Sequence, residues 1–123
     1  MRVLIVDPYA DIAETTSELL SRMGHECRTA ACATDALAVA DAFDPELAIV
    51  DIGLPDFSGL DLLRALRSRL GRRAPYAAAL TGWTDARSQA LDAGFDHCLL
   101  KPATREQLCL VVELAERRQR ASS

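Results

Sequence analysis

The chain has 123 residues, of which 50% are apolar and 26% charged, which predicts one globular domain with a hydrophobic core. The formal net charge of −4 argues against direct nucleic-acid binding, and no apolar stretch is long enough to span a membrane. The start of the chain lacks the length and the cleavage site of a signal peptide. We therefore predict a cytoplasmic protein with a single domain at residues 1–120 and a tail at 121–123.

The first strand is predicted at residues 3–6, a β-branched apolar run that is closed by Asp7 and Pro8. Pro8 is suited to the first turn of a helix and favours an extended conformation at Asp7. Apolar spacing gives this helix an inner face, and Gly24 ends it. The predicted inner-face residues are Ile12, Leu19, Leu20 and Met23.

The middle of the chain continues the alternation of strand and helix. Residues 25–30 alternate weakly, as an edge strand would, and the Ala-rich residues 34–43 predict a second helix. The continuous apolar run at 47–50 is typical of a strand buried on both faces, and Asp51 ends it. A third helix follows to about Leu70.

The last four elements complete the alternation. They are a strand at 76–80, a short helix at 86–93, a strand at 97–100 and a helix at 104–118. Thr81 follows the first of these strands and Lys101 follows the second. Poly-Ala is a poor strand signal, so the strand at 76–80 is predicted mainly from its length and its position between two helices.

Five such units with short connections predict an α/β fold, a doubly wound parallel sheet with helices on both faces. The commonest arrangement, which is flavodoxin-like, has strand order 2-1-3-4-5 and places the first and third strands side by side. Asp7 and Asp51 then become neighbours at the carboxyl edge, where Thr81 and Lys101 also lie.

These four residues suit phosphoryl transfer. Asp51 is the candidate nucleophile, Mg²⁺ would bridge carboxylate and phosphoryl oxygens, and Lys101 and Thr81 would contact the phosphoryl oxygens. Individually, Asp7 and Thr81 could be helix caps and Lys101 a surface lysine. Four such coincidences at one sheet edge are improbable together, so a shared site is the better interpretation.

The chain resembles the receiver domain of two-component response regulators along nearly its whole length. The matching residues are Val6-Asp7, Asp51 with Pro55 and Gly59, Leu80-Thr81-Gly82, Ala93-Gly94-Phe95-Asp96 and Leu100-Lys101-Pro102. The resemblance implies that Asp51 accepts a phosphoryl group from a histidine kinase or phosphotransfer protein, and that Thr81 and Lys101 read the phosphorylated state. It also makes Lys101-Pro102 a candidate cis peptide. The segments DIGLP and AGFDHCLLKP most resemble receivers of hybrid sensor kinases.

Two positions depart from the family pattern. Pro8 stands where receivers usually have a second acidic residue that binds Mg²⁺ directly. The metal ligands implied here are Asp51, the backbone carbonyl of Gly53 and, through water, Asp7, so we expect weak Mg²⁺ binding. Cys98 occupies the position of an aromatic or histidine switch, so we expect a small conformational change there.

Several other residues receive structural interpretations. Asp56 is interpreted as a solvated loop acid, and Trp83 as a loop aromatic whose fluorescence reports occupancy of the site. The four cysteines lack CxxC spacing and are predicted to be reduced core residues; they are Cys27, Cys32, Cys98 and Cys109.

The leading hypothesis is a signalling module rather than an enzyme, with a downstream protein partner on the face of the fourth helix, last strand and last helix. A homodimer is left open. The alternative is a degenerate receiver in which Pro8 abolishes phosphorylation and the domain only docks. A flavin carrier lacks its phosphate loop at residues 7–11, and an aspartyl-phosphate hydrolase would need an acid where Tyr9 stands.

Overall fold

The computed structural model describes residues 1–82 and 86–122, so Trp83 lies outside the described residues. The strands are β1 (Arg2–Val6), β2 (Glu26–Ala30), β3 (Leu47–Asp51), β4 (Tyr76–Thr81) and β5 (His97–Leu100). The helices are α1 (Ala10–Arg22), α2 (Ala33–Phe43), α3 (Gly59–Leu70), α4 (Ala86–Asp92) and α5 (Arg105–Ser122), and a 3₁₀ turn spans Gly71–Arg73. Each predicted strand and helix is present, and α5 continues four residues past its predicted end.

The five strands form one parallel sheet in the order β2-β1-β3-β4-β5, which confirms the predicted fold class. In register, Val3 is opposite Leu47 and Val6 is opposite Val50. Because β1 and β3 are direct neighbours, the residues that follow them along the chain emerge side by side. The carboxyl ends of all five strands meet at one edge of the sheet.

Hydrophobic clusters cover both faces of the sheet. Alternate residues of each central strand point to opposite faces, so Leu4 packs with α2 and α3 while Ile5 packs with α1 and α5. The alanines of β4 are fully buried, with Ala78 on one face and Ala77 and Ala79 on the other. This strand forms despite its weak β-propensity because both of its faces are covered.

The inner face of α1 differs from the prediction at Ile12, which is 41% exposed. The buried residues of this helix are Ala13 and Leu20. These two residues are seven positions apart, almost two helical turns, and so lie on one side of the helix. Ile12 is about 100° around the axis from Ala13 and therefore leaves the buried stripe.

The cysteines are less buried than the prediction of core residues implies, although Cys27 and Cys98 pack against the hydrophobic clusters. All four are free thiols, but Cys27, Cys32 and Cys98 are only partly buried and Cys109 is exposed. Cys27 lies on the edge strand β2 and Cys32 at the start of α2, where cover from neighbouring elements is incomplete. In the described chain, no helix is both long and apolar enough to cross a membrane.

Candidate functional site

Four polar residues meet at the carboxyl edge of the sheet. Asp7 follows β1, Asp51 ends β3, Thr81 ends β4 and Lys101 follows β5. Among the described residues, the buried polar side chains are Asp7, Asp51 and Thr81, which are 1%, 7% and 5% exposed. Burying polar groups is costly unless they are paired. The side chains that the sequence predicted to lie together are therefore found at one edge of the sheet.

Lys101 joins the two carboxylates. Its Nζ donates a hydrogen bond to Oδ2 of Asp51 and lies 3.0 Å from Oδ2 of Asp7. Burial acts to lower the pKa of Lys101, but the contacts with Asp51 and then with Asp7 outweigh it, so the pKa is raised above its ordinary value. The ammonium is therefore fully charged at neutral pH, and it offsets one of the two negative charges.

Backbone amides fix the orientation of both carboxylates. The amide of Tyr9 donates to Oδ1 of Asp7 at 2.9 Å, and the amide of Gly53 donates to Oδ1 of Asp51 at 2.7 Å. In each case the amide lies two residues beyond the acid, so the turn after the strand supplies it. Each Oδ2 is left to face the centre of the site, and Asp51 is consequently held with one oxygen toward Lys101.

The site contains hard oxygen donors of the kind that Mg²⁺ prefers. Oδ2 of Asp7 is buried, and it faces the ammonium group of Lys101 at 3.0 Å. The Asp51 carboxylate and the Gly53 backbone lie close together in space, as the hydrogen bond between them requires. These groups fit a cation, but residues 1–82 and 86–122 contain no cluster of three acidic, His or Cys side chains suited to a metal. Mg²⁺ would therefore keep several water ligands.

Pro8 and Cys98 are the two residues that set this site apart. Pro8 is half-buried directly after Asp7 and contributes no charge. Cys98 is partly buried against the cluster that contains α2, α3 and α4. Burial raises the pKa of the Cys98 thiol, although Arg87 acts to lower it. The thiol is therefore neutral and packs as a small apolar group.

Tyr9 adds a contact that the sequence did not predict. Its ring centroid lies 5.2 Å from Nζ of Lys101, and the side chain is otherwise 63% exposed. An aromatic face at this distance attracts an ammonium group. Tyr9 thus helps to hold Lys101 against the carboxylates.

Asp56 has a structural role that sequence analysis missed. Its carboxylate accepts hydrogen bonds from the amides of Ala33 and Thr34 at 2.9 and 2.8 Å, and from the Thr34 hydroxyl at 2.7 Å. Desolvation acts to raise its pKa, but these hydrogen bonds hold the pKa of Asp56 well below its usual range. Asp56 therefore caps α2, whose own N-cap residue, Cys32, makes no side-chain cap.

The loop that follows Asp51 is closed by a tight approach at Gly59. Ser58 caps α3 by accepting a hydrogen bond from the amide of Asp61, and Gly59 donates its own amide to the carbonyl of Ile52 at 2.9 Å. A Cβ atom at position 59 would lie 2.7 Å from the carbonyl oxygen of Asp51 and 2.9 Å from Cα of Ile52. Glycine is therefore required here because backbone, not a movable side chain, occupies the space.

Gly59→Ala should destabilise the fold by about 2 kcal/mol, because α3 must shift away from the end of β3. Urea unfolding measures this loss. Gly82→Ala is the matched control, since a Cβ there meets no atom of the described residues within 4 Å and should change stability by less than about 0.5 kcal/mol. Equal stabilities of the two variants would contradict the close approach.

The comparisons with known proteins agree with this geometry. The family model described as "Response regulator receiver domain" matches residues 3–113. The chain belongs to this family. A receiver domain from Clostridium thermocellum has a TM-score of 0.90 at 25% identity and covers 99% of this chain and 98% of its own. A CheY-like receiver from Methanospirillum hungatei JF-1 has a TM-score of 0.86 at 30% identity, with 98% and 97% covered.

Full-length relatives place similar receivers in two kinds of protein. The transcriptional regulatory protein KdpE of Mycobacterium tuberculosis is 34% identical over 121 residues, which is 98% of this receiver and 53% of KdpE. The sensor histidine kinase RcsC of Escherichia coli K12 is 27% identical over 123 residues, which is 99% of this receiver and 13% of RcsC. The receiver thus spans about half of the first relative and a small part of the second.

Membership confirms the resemblance inferred from the sequence. This is a receiver domain of two-component signalling, a signalling module rather than a classical enzyme. Receivers typically bind Mg²⁺ and interact with histidine kinases.

Proposed function

We propose that this receiver accepts a phosphoryl group on Asp51 from the phosphohistidine of a histidine kinase or phosphotransfer protein. The observation that carries the proposal is the contact of one ammonium, Lys101, with both carboxylates at the buried sheet edge. A carboxylate beside a fixed cation can attack phosphorus while the developing negative charge is neutralised. The alternative roles of Asp7 and Lys101, a cap and a surface lysine, do not explain this arrangement.

The reaction follows from the orientation of Asp51. A carboxylate oxygen attacks the phosphorus, the O–P bond forms, and the N–P bond to the donor imidazole breaks, with its electron pair returning to the imidazole nitrogen. Gly53 holds Oδ1 of Asp51 throughout. Lys101 and the Thr81 hydroxyl contact phosphoryl oxygens and position the transferred group.

The bound Mg²⁺ would neutralise phosphoryl charge, held by Asp51, the Gly53 carbonyl and Asp7. Asp7 would contribute through water, as the resemblance to other receivers implies, and its Oδ2 also lies 3.0 Å from Nζ of Lys101. With Pro8 in place of an acid, we expect the affinity for Mg²⁺ to be low.

Two protein partners follow from this function. The donor is a histidine kinase or a phosphotransfer protein, as expected for a receiver. The downstream partner would bind the face of α4, β5 and α5, because Thr81 and Lys101 begin the loops that lead to it. Each of these elements exposes a large apolar side chain, namely Leu91, Leu100 and Leu110.

The test is incubation with Mg²⁺ and a small phosphodonor, followed by intact mass measurement and mapping of the modified peptide. A single phosphoryl adduct on the peptide containing Asp51 is expected, and chelation of Mg²⁺ should prevent it. No adduct at saturating Mg²⁺ would instead favour the degenerate receiver, for which Pro8 is the supporting observation.

Pro8→Asp should tighten Mg²⁺ binding by at least about tenfold. The residues Asp7, Asp51 and Lys101 give the pocket a formal charge of −1, and an acid at position 8 would make it −2. Calorimetric titration with Mg²⁺ measures the affinity, and the rate of adduct formation should rise with it. Pro8→Ala is the control, because it removes the ring without adding charge. Equal affinities of the Asp and Ala variants would mean that position 8 does not face the metal.

A further inference from the structure

A second cavity lies at the opposite, amino edge of the sheet, where β1 and β4 begin. Its volume is about 580 Å³, within the range of small-molecule sites. Five arginines from four different elements or turns line it; they are Arg2, Arg67, Arg72, Arg73 and Arg118. The strands separate this cavity from Asp51 by roughly 16 Å, the length of five extended residues.

The cavity is positively charged in an acidic protein. Its lining holds five guanidinium groups and two carboxylates, Asp44 and Glu46, a formal charge of +3 in a chain of −4. Asp96 touches Arg67 and Arg118 from outside the lining, and counting it still leaves +2. A concave surface of one sign focuses its potential and concentrates ions of opposite charge.

The carboxylates pair only loosely with the arginines. Arg2 lies 3.9 Å from Asp44 and 3.7 Å from Glu46, and Arg73 lies 3.9 Å from Asp44. Strong charge-assisted hydrogen bonds are about 2.7–2.9 Å long. Arg72 has no carboxylate partner in the described part of the chain. Arg118 is an exception, because its Nη1 donates to both carboxylate oxygens of Asp96 at 3.2 Å. The guanidinium groups of Arg2, Arg72 and Arg73 keep donors available for another anion.

Contacts other than ion pairs hold three of these guanidinium groups in place. Nε of Arg2 donates to the backbone carbonyl of Asp44 at 2.8 Å, and Arg118 lies 5.0 Å from the ring centroid of Tyr76. Arg67 rests against Gly94, where a Cβ would lie 2.3 Å from its Nη1. Groups that are already positioned lose less conformational entropy when a ligand binds.

We propose that this cavity binds a small polyanion that carries a chain of two or more phosphate groups. Guanidinium groups match phosphate oxygens in geometry, and arginines on several sides of a cavity suit a ligand with several charges. A single phosphate is too small to reach them all. Among the described residues, the lining of the cavity contains no aromatic side chain on which a nucleobase could stack, so the phosphate chain is the recognised part.

Helix electrostatics alone does not account for the cluster. Arg67, Arg72 and Arg73 lie near the carboxyl end of α3, where cations stabilise the helix dipole. Arg2 begins β1 and Arg118 belongs to α5, and neither has this role. Their convergence on one cavity is the feature that points to a ligand.

The experiment is calorimetric titration of the whole chain with tripolyphosphate, ATP, AMP and inorganic phosphate, at low salt and without divalent cations. We expect tripolyphosphate and ATP to bind with similar affinity, at least about tenfold more tightly than AMP or phosphate. Binding of ATP without binding of tripolyphosphate would overturn recognition of the phosphate chain. Absence of saturable binding by both would overturn the site.

Variants locate the binding. The double variant Arg72→Gln, Arg73→Gln should weaken tripolyphosphate binding at least about tenfold. The double variant Arg22→Gln, Arg64→Gln removes the same charge from exposed positions elsewhere and should leave it unchanged. If both double variants weakened tripolyphosphate binding equally, the effect would come from the net charge of the protein and not from this cavity. That result would overturn the proposal.

Asp51→Asn separates this proposal from the proposed phosphorylation. It should bind tripolyphosphate as the unsubstituted chain does, because the amino-edge cavity does not contain Asp51. Loss of binding in this variant would place the anion at the carboxyl edge and overturn the proposed cavity.

Discussion

Asp51→Asn should leave the receiver folded and without any phosphoryl adduct. The asparagine keeps an oxygen that can accept the hydrogen bond from the Gly53 amide, and it has nearly the same volume. A neutral amide is not an effective nucleophile toward phosphorus, so the chemical step is lost while the loop is retained. Intact mass after incubation with Mg²⁺ and a small phosphodonor measures the adduct, and urea unfolding measures the fold.

Asp56→Asn is the matched control for this prediction. Asp56 lies five residues further along the same loop, and its carboxylate binds the amino end of α2 rather than Lys101. The Asp56 variant should still form the adduct but lose stability, because a neutral amide caps a helix less strongly than this carboxylate. An adduct that persists in Asp51→Asn, or that maps to Asp56, would show that the nucleophile has been assigned incorrectly.

Much of the fold could be predicted because its signals are local. The apolar runs at β1 and β3 are short, continuous and each ended by an acid, which indicates parallel strands buried on both faces. Short connections then restrict the topology to a few arrangements. Even β4 was placed correctly from its length and its position between two helices, although its three alanines have little strand propensity.

The errors arose where burial depends on neighbours that are distant in sequence. Ile12 has helical spacing but lies outside the stripe that the sheet covers. Cys109 is apolar by type, yet it is exposed on α5. Asp56 caps a helix that begins 23 residues earlier, and no local motif signals such a contact. Residue type and spacing do not encode these relations.

The two edges of the sheet also differ in whether local sequence signals reveal their residues. At the carboxyl edge, four of the five strand ends carry a polar residue, so strand order was enough to bring Asp7, Asp51 and Lys101 together. Their chemical roles stay predictions until an adduct is measured. At the amino edge, the arginines come from different elements and follow no spacing, so only the folded chain reveals that they share a cavity.

Lys101→Ala should slow adduct formation by about 10²-fold without weakening Mg²⁺ binding. Lys101 supplies the fixed positive charge that would stabilise charge on the transferring phosphoryl group. The same ammonium lies against both metal-binding carboxylates, where it repels a second cation. Its removal changes the formal charge of the pocket from −1 to −2, so Mg²⁺ should bind at least as tightly as before.

The two readouts distinguish a chemical role for Lys101 from a purely structural one. Calorimetry gives the Mg²⁺ affinity, and mass measurement over time gives the rate of adduct formation at saturating Mg²⁺. Arg105→Ala is the control, because it removes one exposed cation four residues after Lys101 and should change neither value. The raised pKa of Lys101 means that its ion pairs stabilise the fold below its ordinary pKa of 10.5 and lose this effect only as the pH rises through the higher folded-state value. Both measurements therefore belong near neutral pH, where the lysine is charged. If Lys101→Ala lowered both the Mg²⁺ affinity and the rate of adduct formation, the substitution would have disrupted the structure of the pocket. If the rate of adduct formation did not change, Lys101 would have no role in the proposed chemistry.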